Sequence, residues 1–235
     1  SDRKIRKMIA KPSFARCKIF DEDLIAMQMH RSSLKLNKPM YVGVAILDLS
    51  KHLMYDYYYN EMKVQYDDRC ELLYTDTDSL LLEIQTDNIY NDMQQRADLY
   101  DTSNYPKEHK LYSTANKKVL GKFKDECGGI PIVEYIGLRP KMYSIRTADS
   151  VIKKAKGVKK YVVNKQITHD NYKETLFEKK TMRHGMNSLR SMHHQMYGIH
   201  QNKISLSPFD SKRWIASDGV HTLAYGHYKI PSGGN

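Results

Sequence analysis

Leu72-Leu73-Tyr74-Thr75-Asp76-Thr77-Asp78-Ser79-Leu80-Leu81-Leu82 sets two short apolar runs on either side of a polar turn. Runs this short, bounded by turn formers, read as two buried strands, and the pair predicts a hairpin. Asp76 and Asp78 then sit together at its tip, between strands too apolar to hold charge themselves. Carboxylates this close repel one another, and each resists desolvation near a core. A divalent cation relieves both problems, and Mg²⁺ favours one or two carboxylates plus substrate phosphates. Two such ions ~3.5–4 Å apart are the apparatus of nucleotidyl transfer. Asp and Thr are also common turn residues for local hydrogen-bonding reasons, so Asp-X-Asp alone leaves a hairpin-capping turn and a metal site both open. An EF-hand loop is excluded, because Leu80 and Leu81 stand where that loop needs an oxygen ligand and a glycine.

Upstream of the hairpin, Val42, Ile46, Leu49, Leu53 and Tyr57 recur at steps of three and four, and Pro39 suits a first helical turn. The spacing predicts one helix with a single buried face. Residues 1–35 read as helical but weakly patterned. The polar segment around Tyr66-Asp67-Asp68 reads as a solvated loop. Downstream, a helix is expected over 88–100, a turn-rich stretch over 101–117, and strands over 118–123, 132–138 and 142–146, with a turn at Gly128-Gly129. Beyond Ser150 the chain becomes rich in Lys and His, with helices expected near 169–180 and 184–200 and a frayed tail over 231–235. His193, His194 and His200 lack zinc-finger spacing and are assigned to a helix surface. The fold class is α+β: an antiparallel sheet with helices on one face over residues 1–150, followed by a mainly helical subdomain over 151–235.

Charge divides the chain. Residues 139–235 carry 18 Lys and Arg against 6 Asp and Glu, whereas residues 1–138 carry 20 against 21. A neutral part joined to a strongly basic one points to a polyanion held by the second part. Lys153, Lys154, Lys156, Lys159, Lys160 and Lys165 follow one another without an intervening acid. Such a run is either a solvated face or a surface that contacts phosphates. Cys17, Cys70 and Cys127 are too few and too scattered for a disulfide framework, and are expected to be reduced in an intracellular protein. No run of 18 apolar residues is present, so no membrane-spanning helix is expected.

The segment from Leu72 to Leu80 closely resembles the Tyr-X-Asp-Thr-Asp-Ser palm motif of family-B DNA polymerases. Lys118-Val119-Leu120-Gly121-Lys122-Phe123-Lys124-Asp125-Glu126 and Gly137-Leu138-Arg139-Pro140-Lys141-Met142-Tyr143 are similar to the palm sequence that follows that motif. Lys153-Lys154-Ala155-Lys156-Gly157-Val158 resembles the passage toward the thumb. The nearest branch is the organellar and viral one, which includes the protein-primed enzymes of linear plasmids, viruses and self-synthesising transposons. The resemblance covers about residues 35 to 228. It implies that residues 1–150 form the carboxy-terminal part of a palm and residues 151–235 a basic, mainly helical thumb. It further implies a DNA-directed DNA polymerase with two Mg²⁺ ions, Asp78 as principal ligand and Asp76 as secondary one. Lys141 and Tyr143 match the family's Lys-X-Tyr motif at the primer terminus. Tyr74, Thr75, Lys153, Lys154, Lys156, Lys159 and Lys160 are then expected on the DNA. Implied partners are primer–template DNA, deoxynucleoside triphosphates and, in the protein-primed branch, a terminal priming protein.

The motif carrying the other metal carboxylate and the Lys-bearing helix that binds the incoming triphosphate have no match in residues 1–73. This chain is therefore expected to hold half of the metal site and to be inactive alone. Two other classes stay open: a non-catalytic nucleic-acid-binding remnant of a mobile element, and a glycosyltransferase with a metal-binding Asp-X-Asp. The absence of alternating strands and helices before the motif speaks against the latter.

Overall fold

In a computed structural model, the structure describes residues 2–22, 24–193, 195–209, 213–219 and 221–231. The elements in chain order are α1 (Asp2–Ile9), β1 (Phe14–Asp21), β2 (Leu24–Met29), α2 (Met40–Asp56), α3 (Lys63–Tyr66), β3 (Cys70–Thr75), β4 (Leu80–Ile84), α4 (Ile89–Gln95), β5 (Ile132–Arg139), β6 (Met142–Thr147), β7 (Val151–Ala155), α5 (Lys160–Lys165), α6 (His169–Phe177), β8 (Met182–Met192), β9 (Gln195–Leu206), β10 (Arg213–Ile215) and β11 (Thr222–Ala224). The fold is α+β, with small antiparallel sheets. The chain divides into two compact units: residues 1–47 with 185–203, and residues 48–184 with 204–235.

The larger unit holds two apolar centres. In the first, Met62, Tyr66 and Cys70 are buried together against Tyr57, Tyr58, Leu82, Ile84 and Ile89. The second lies where α6 packs on β5 and β6 and α5 on β7. It buries Met142, Val162, Ile167 and Tyr172. Thr168 caps α6 by accepting from the Asn171 amide, and Asn171 accepts in return from the Thr168 amide, so two of the free amides at that helix end are satisfied. The sheet β5-β6-β7 continues across residue 150, where a subdomain boundary is expected from composition.

Behind this sheet lies a buried polar chain. Ser144 Oγ meets His169 Nδ1 at 2.7 Å, and His169 Nε2 meets Glu134 at 3.0 Å. Glu134 also pairs with Arg146 and Lys173, each at 2.7 Å. The hydrogen bond from Lys173, then that from His169, holds the Glu134 carboxyl below its ordinary value of 4.5. A carboxylate whose folded-state value lies below its unfolded one contributes stability above the unfolded value and loses it as pH falls through the folded one. Acid titration below about pH 4.5 is therefore expected to destabilise this unit. Glu134→Gln should flatten that pH dependence in thermal melts, and an unaltered slope would show that the cluster is not linked to folding.

Several expectations need correction. Over 151–235 only α5 and α6 are helical among the described residues, so the mainly helical thumb is not borne out. Residues 184–200 form most of the β8–β9 hairpin, with Met182, His184, Met186 and Ser188 turned inward at every second position. Gly185 and Gly198 weaken a helix there, and the period of two favours strands. His193 and His200 therefore lie on a hairpin instead of a helix, and His194 lies outside the described residues. Residues 1–35 hold a short helix and a hairpin. The stretch 118–123 contributes one isolated bridge, Tyr100 to Phe123, and no strand. Tyr66 is buried at the end of α3, with its hydroxyl donating to Asp92 at 2.9 Å, so the solvated-loop reading holds only for the exposed Asp67 and Asp68.

The α2 helix forms, but its expected face is not buried. Val42, Ile46, Leu49 and Leu53 are exposed, Leu49 by 70%. The first half of α2 is apolar around its circumference, so periodicity could not choose a face. Burial begins at Met54 and continues beyond a wider π-type turn, Tyr57–Met62.

Candidate active site

The predicted hairpin is present. Leu72 pairs with Leu82, Tyr74 with Leu81 and Thr75 with Leu80, so Leu73 is an extra residue that bulges the first strand. The tip is tight: the Asp78 and Ser79 amides both donate to the Asp76 carbonyl, at 2.7 and 3.2 Å, and the Asp76 amide donates to the Ser79 carbonyl at 3.1 Å. Closing so short a turn places Thr77 at φ 58°, the left-handed region that L residues rarely adopt.

The second part of the site comes from the β5–β6 turn. Pro140 followed by Lys141 at φ 62° is the pattern of a type II turn, with Lys where Gly is usual. The Lys141 ammonium lies 3.0 Å from Asp76 Oδ1. The Tyr143 ring lies 4.7 Å from the Tyr74 ring, centre to centre. Tyr74, Asp76, Lys141 and Tyr143 thus meet although the chain separates the two pairs widely. The Lys141 hydrogen bond, foremost, holds the Asp76 carboxyl below its ordinary range, with Tyr74 and Thr77 adding to it and partial burial opposing. Burial, then Tyr143 and Asp76, push the Tyr74 hydroxyl up, so it remains a neutral donor. Asp78 is exposed at the tip, and no described side chain pairs with it. Thr75 is exposed beside it.

The lysine run does not act as one patch, because strand alternation divides it. Lys154 pairs with Tyr143 across β6 and β7 and so shares the site face. Lys153 pairs with the buried Ser144 and donates to the carbonyls of Ile167 and Asn164. Its charge is engaged by the end of α5 and the following turn, so the expected phosphate contact at Lys153 is not supported by its position. Lys156, Lys159 and Lys160 are exposed beyond the sheet. The buried chain Ser144–His169–Glu134 had no sequence signal, since its members come from three elements.

Asp76 and Asp78 are the only two carboxylates of the hairpin tip, and one is already paired with a cation. Among the described residues no group of three His, Cys, Asp or Glu comes together as a metal site. Two carboxylates still suit Mg²⁺, which completes its shell with water and phosphate oxygens. The donor set fits half of a two-metal site.

Lys141→Gly separates the two roles of that position. Glycine relieves the positive φ, worth roughly 1 kcal/mol, which offsets loss of a half-exposed ion pair worth about 0–1 kcal/mol. Thermal stability is expected to hold or rise, while the primer–template affinity that the resemblance implies for Lys141 is expected to fall. A large drop in stability would show that the ion pair is the structural core of the turn.

Comparison with protein-family models, with curated proteins and with solved structures finds no match.

Proposed function

We propose that this chain is the carboxy-terminal palm part of a template-directed DNA polymerase, with Asp76 and Asp78 contributing to a Mg²⁺-dependent nucleotidyl-transfer site. One observation carries the reading. The hairpin that resembles the polymerase palm motif and the segment that resembles Lys-X-Tyr meet at Asp76–Lys141 and Tyr74–Tyr143. Two pieces matched separately along the sequence are brought together in space, which supports their serving one site.

Within this reading Asp78, free of any described partner, is the principal Mg²⁺ ligand. Asp76 is the secondary ligand and is held in place by Lys141. When bound, Mg²⁺ supplies charge neutralisation at the attacking and leaving oxygens. The chain's own residues supply position. Tyr143 and Lys154 face the primer strand from the β6–β7 surface, and Lys154 neutralises backbone phosphate without reading sequence. Lys141, half-exposed beside Asp76, orients that carboxylate and leaves its remaining donors open toward the primer strand. Substrates are primer–template DNA and deoxynucleoside triphosphates.

The test is primer extension with Mg²⁺. The 235-residue chain alone is expected to be inactive, because two metals need carboxylates from both sides of the site. Joined to, or mixed with, a polypeptide bearing the other metal Asp and the triphosphate-binding helix of a family-B enzyme, it is expected to extend. Extension by the isolated chain would overturn the division of the site. A second reading, non-catalytic nucleic-acid binding, is favoured by the lack of a third ligand among the described residues. DNA binding without extension in the joined protein would select it.

A further inference from the structure

We propose that the smaller unit, residues 1–47 with 185–203, is a nucleic-acid backbone surface in its own right, centred on α1. The unit holds 12 of the chain's Lys and Arg against 4 of its Asp and Glu, a net charge of +8 out of +11 for the whole chain. The larger unit, with most of the residues, is left with +3.

The cations are displayed on the surface. Arg3, Lys4, Arg6 and Lys7 follow one another at helical neighbour spacing along α1, and all four are exposed. Lys11, two residues past the helix, and Lys18, on β1 of the same unit, are also exposed. No described acidic side chain forms an ion pair with any of these six. Like charges at i,i+3 and i,i+4 destabilise an isolated helix, and among the described residues no ion pair offsets that cost. A ligand of regularly spaced negative charge does.

Duplex DNA or RNA fits that description. An eight-residue helix is about 12 Å long, and along ~12 Å of axis one DNA strand presents three to four phosphates at ~3.4 Å each. Lys and Arg presented this way hold phosphate without reading bases. The other polyanion to consider is an anionic membrane, which basic amphipathic helices also bind. Such a helix must insert its apolar side, yet two of the three apolar residues of α1, Ile5 and Met8, are half-buried within the protein, which leaves Ile9 alone exposed for insertion. Nucleic acid is therefore the partner the surface suits. This inference goes beyond the polymerase reading, since it needs neither the acidic hairpin nor a metal.

The experiment uses the full chain and a fluorescent mixed-sequence DNA duplex in anisotropy titrations across a salt series. In one variant Arg3, Lys4, Arg6 and Lys7 become Gln, which keeps helix propensity. In a control, Lys51, Lys107, Lys117 and Lys179 of the larger unit become Gln, removing the same charge. The α1 variant is expected to lose at least tenfold in affinity at moderate salt. Its log-affinity slope against log salt should fall by about 0.9 for each phosphate that is no longer neutralised. The control should lose much less. Equal losses in both would overturn the proposal in favour of a diffuse net-charge effect, and no loss in either would overturn it outright. Should the α1 variant misfold, amine labelling of the unaltered chain decides: Lys4, Lys7 and Lys11 should be protected by DNA, and unchanged labelling counts against the proposal. Binding of phosphatidylserine–phosphatidylcholine vesicles but not of duplex would assign the surface to membranes and overturn it. Loss of primer extension in the joined protein with α1-dependent DNA binding intact would sink only the polymerase reading. Extension with α1-independent binding would sink only this one.

Discussion

Asp78→Asn in the joined, extension-competent protein is expected to reduce the rate of Mg²⁺-dependent primer extension by at least ~10³-fold. A loss of that size is about 4 kcal/mol, within the several kcal/mol that metal charge contributes at a phosphoryl transition state. An amide cannot carry the charge that holds the ion. The fold should not respond, because Asp78 is exposed and no described side chain depends on it. Surface changes of this kind stay within about 0.5 kcal/mol. Asp76→Asn should cost less activity, about 10–100-fold, as expected of a supporting ligand already shared with Lys141. Steady-state extension, with thermal melts alongside, checks both. Near-unaltered extension in Asp78→Asn would remove Asp78 from the metal site and, with it, the reason for reading the hairpin as catalytic.

The largest loss of stability is expected from Tyr172→Ala. Tyr172 is fully buried between α6 and the β5-β6-β7 sheet, and its hydroxyl donates to the Lys154 carbonyl at 3.0 Å. Burial pushes its ionisation well up, so it remains a donor at any ordinary pH. Deleting the ring leaves a cavity and an unpaired carbonyl, for roughly 3–5 kcal/mol by analogy with other buried aromatic truncations. Tyr172→Phe should lose only the hydrogen bond, about 1 kcal/mol. Urea unfolding followed through the single Trp214, which belongs to the same unit, measures both. A cost below about 1 kcal/mol for Tyr172→Ala would mean that α6 is not packed on the sheet as described.

Much of the larger unit is legible locally. The hairpin Cys70–Thr75 and Leu80–Ile84 follows from short apolar runs around a polar turn, and Ile132–Arg139 and Met142–Thr147 from β-rich runs around Pro140. Those signals are strong because turn chemistry and strand composition agree over a few residues. Residues 184–200 mislead for the opposite reason. Met and Gln favour a helix while Ser, Asn and His do not, so composition is divided and the choice falls to the period-two burial that only the partner strand enforces. The α2 face is missed for a related reason. Spacing identifies an apolar surface, but what covers that surface is a tertiary fact.

By itself the sequence determined the α+β class, the acidic hairpin and the residue types that suit metal and phosphate. Each is a local property of composition and spacing. Only the tertiary structure decided which charges act together. It set Lys141 on Asp76 and Tyr143 on Tyr74, and divided Lys153 from Lys154 by the alternation of one strand. It also gathered the basic amino-terminal segment with residues 185–203 into one unit of net charge +8. In the linear count those amino-terminal cations are hidden by the acidic stretch that follows them. Electrostatic interaction depends on distance in space, and a sum along the chain cannot report it.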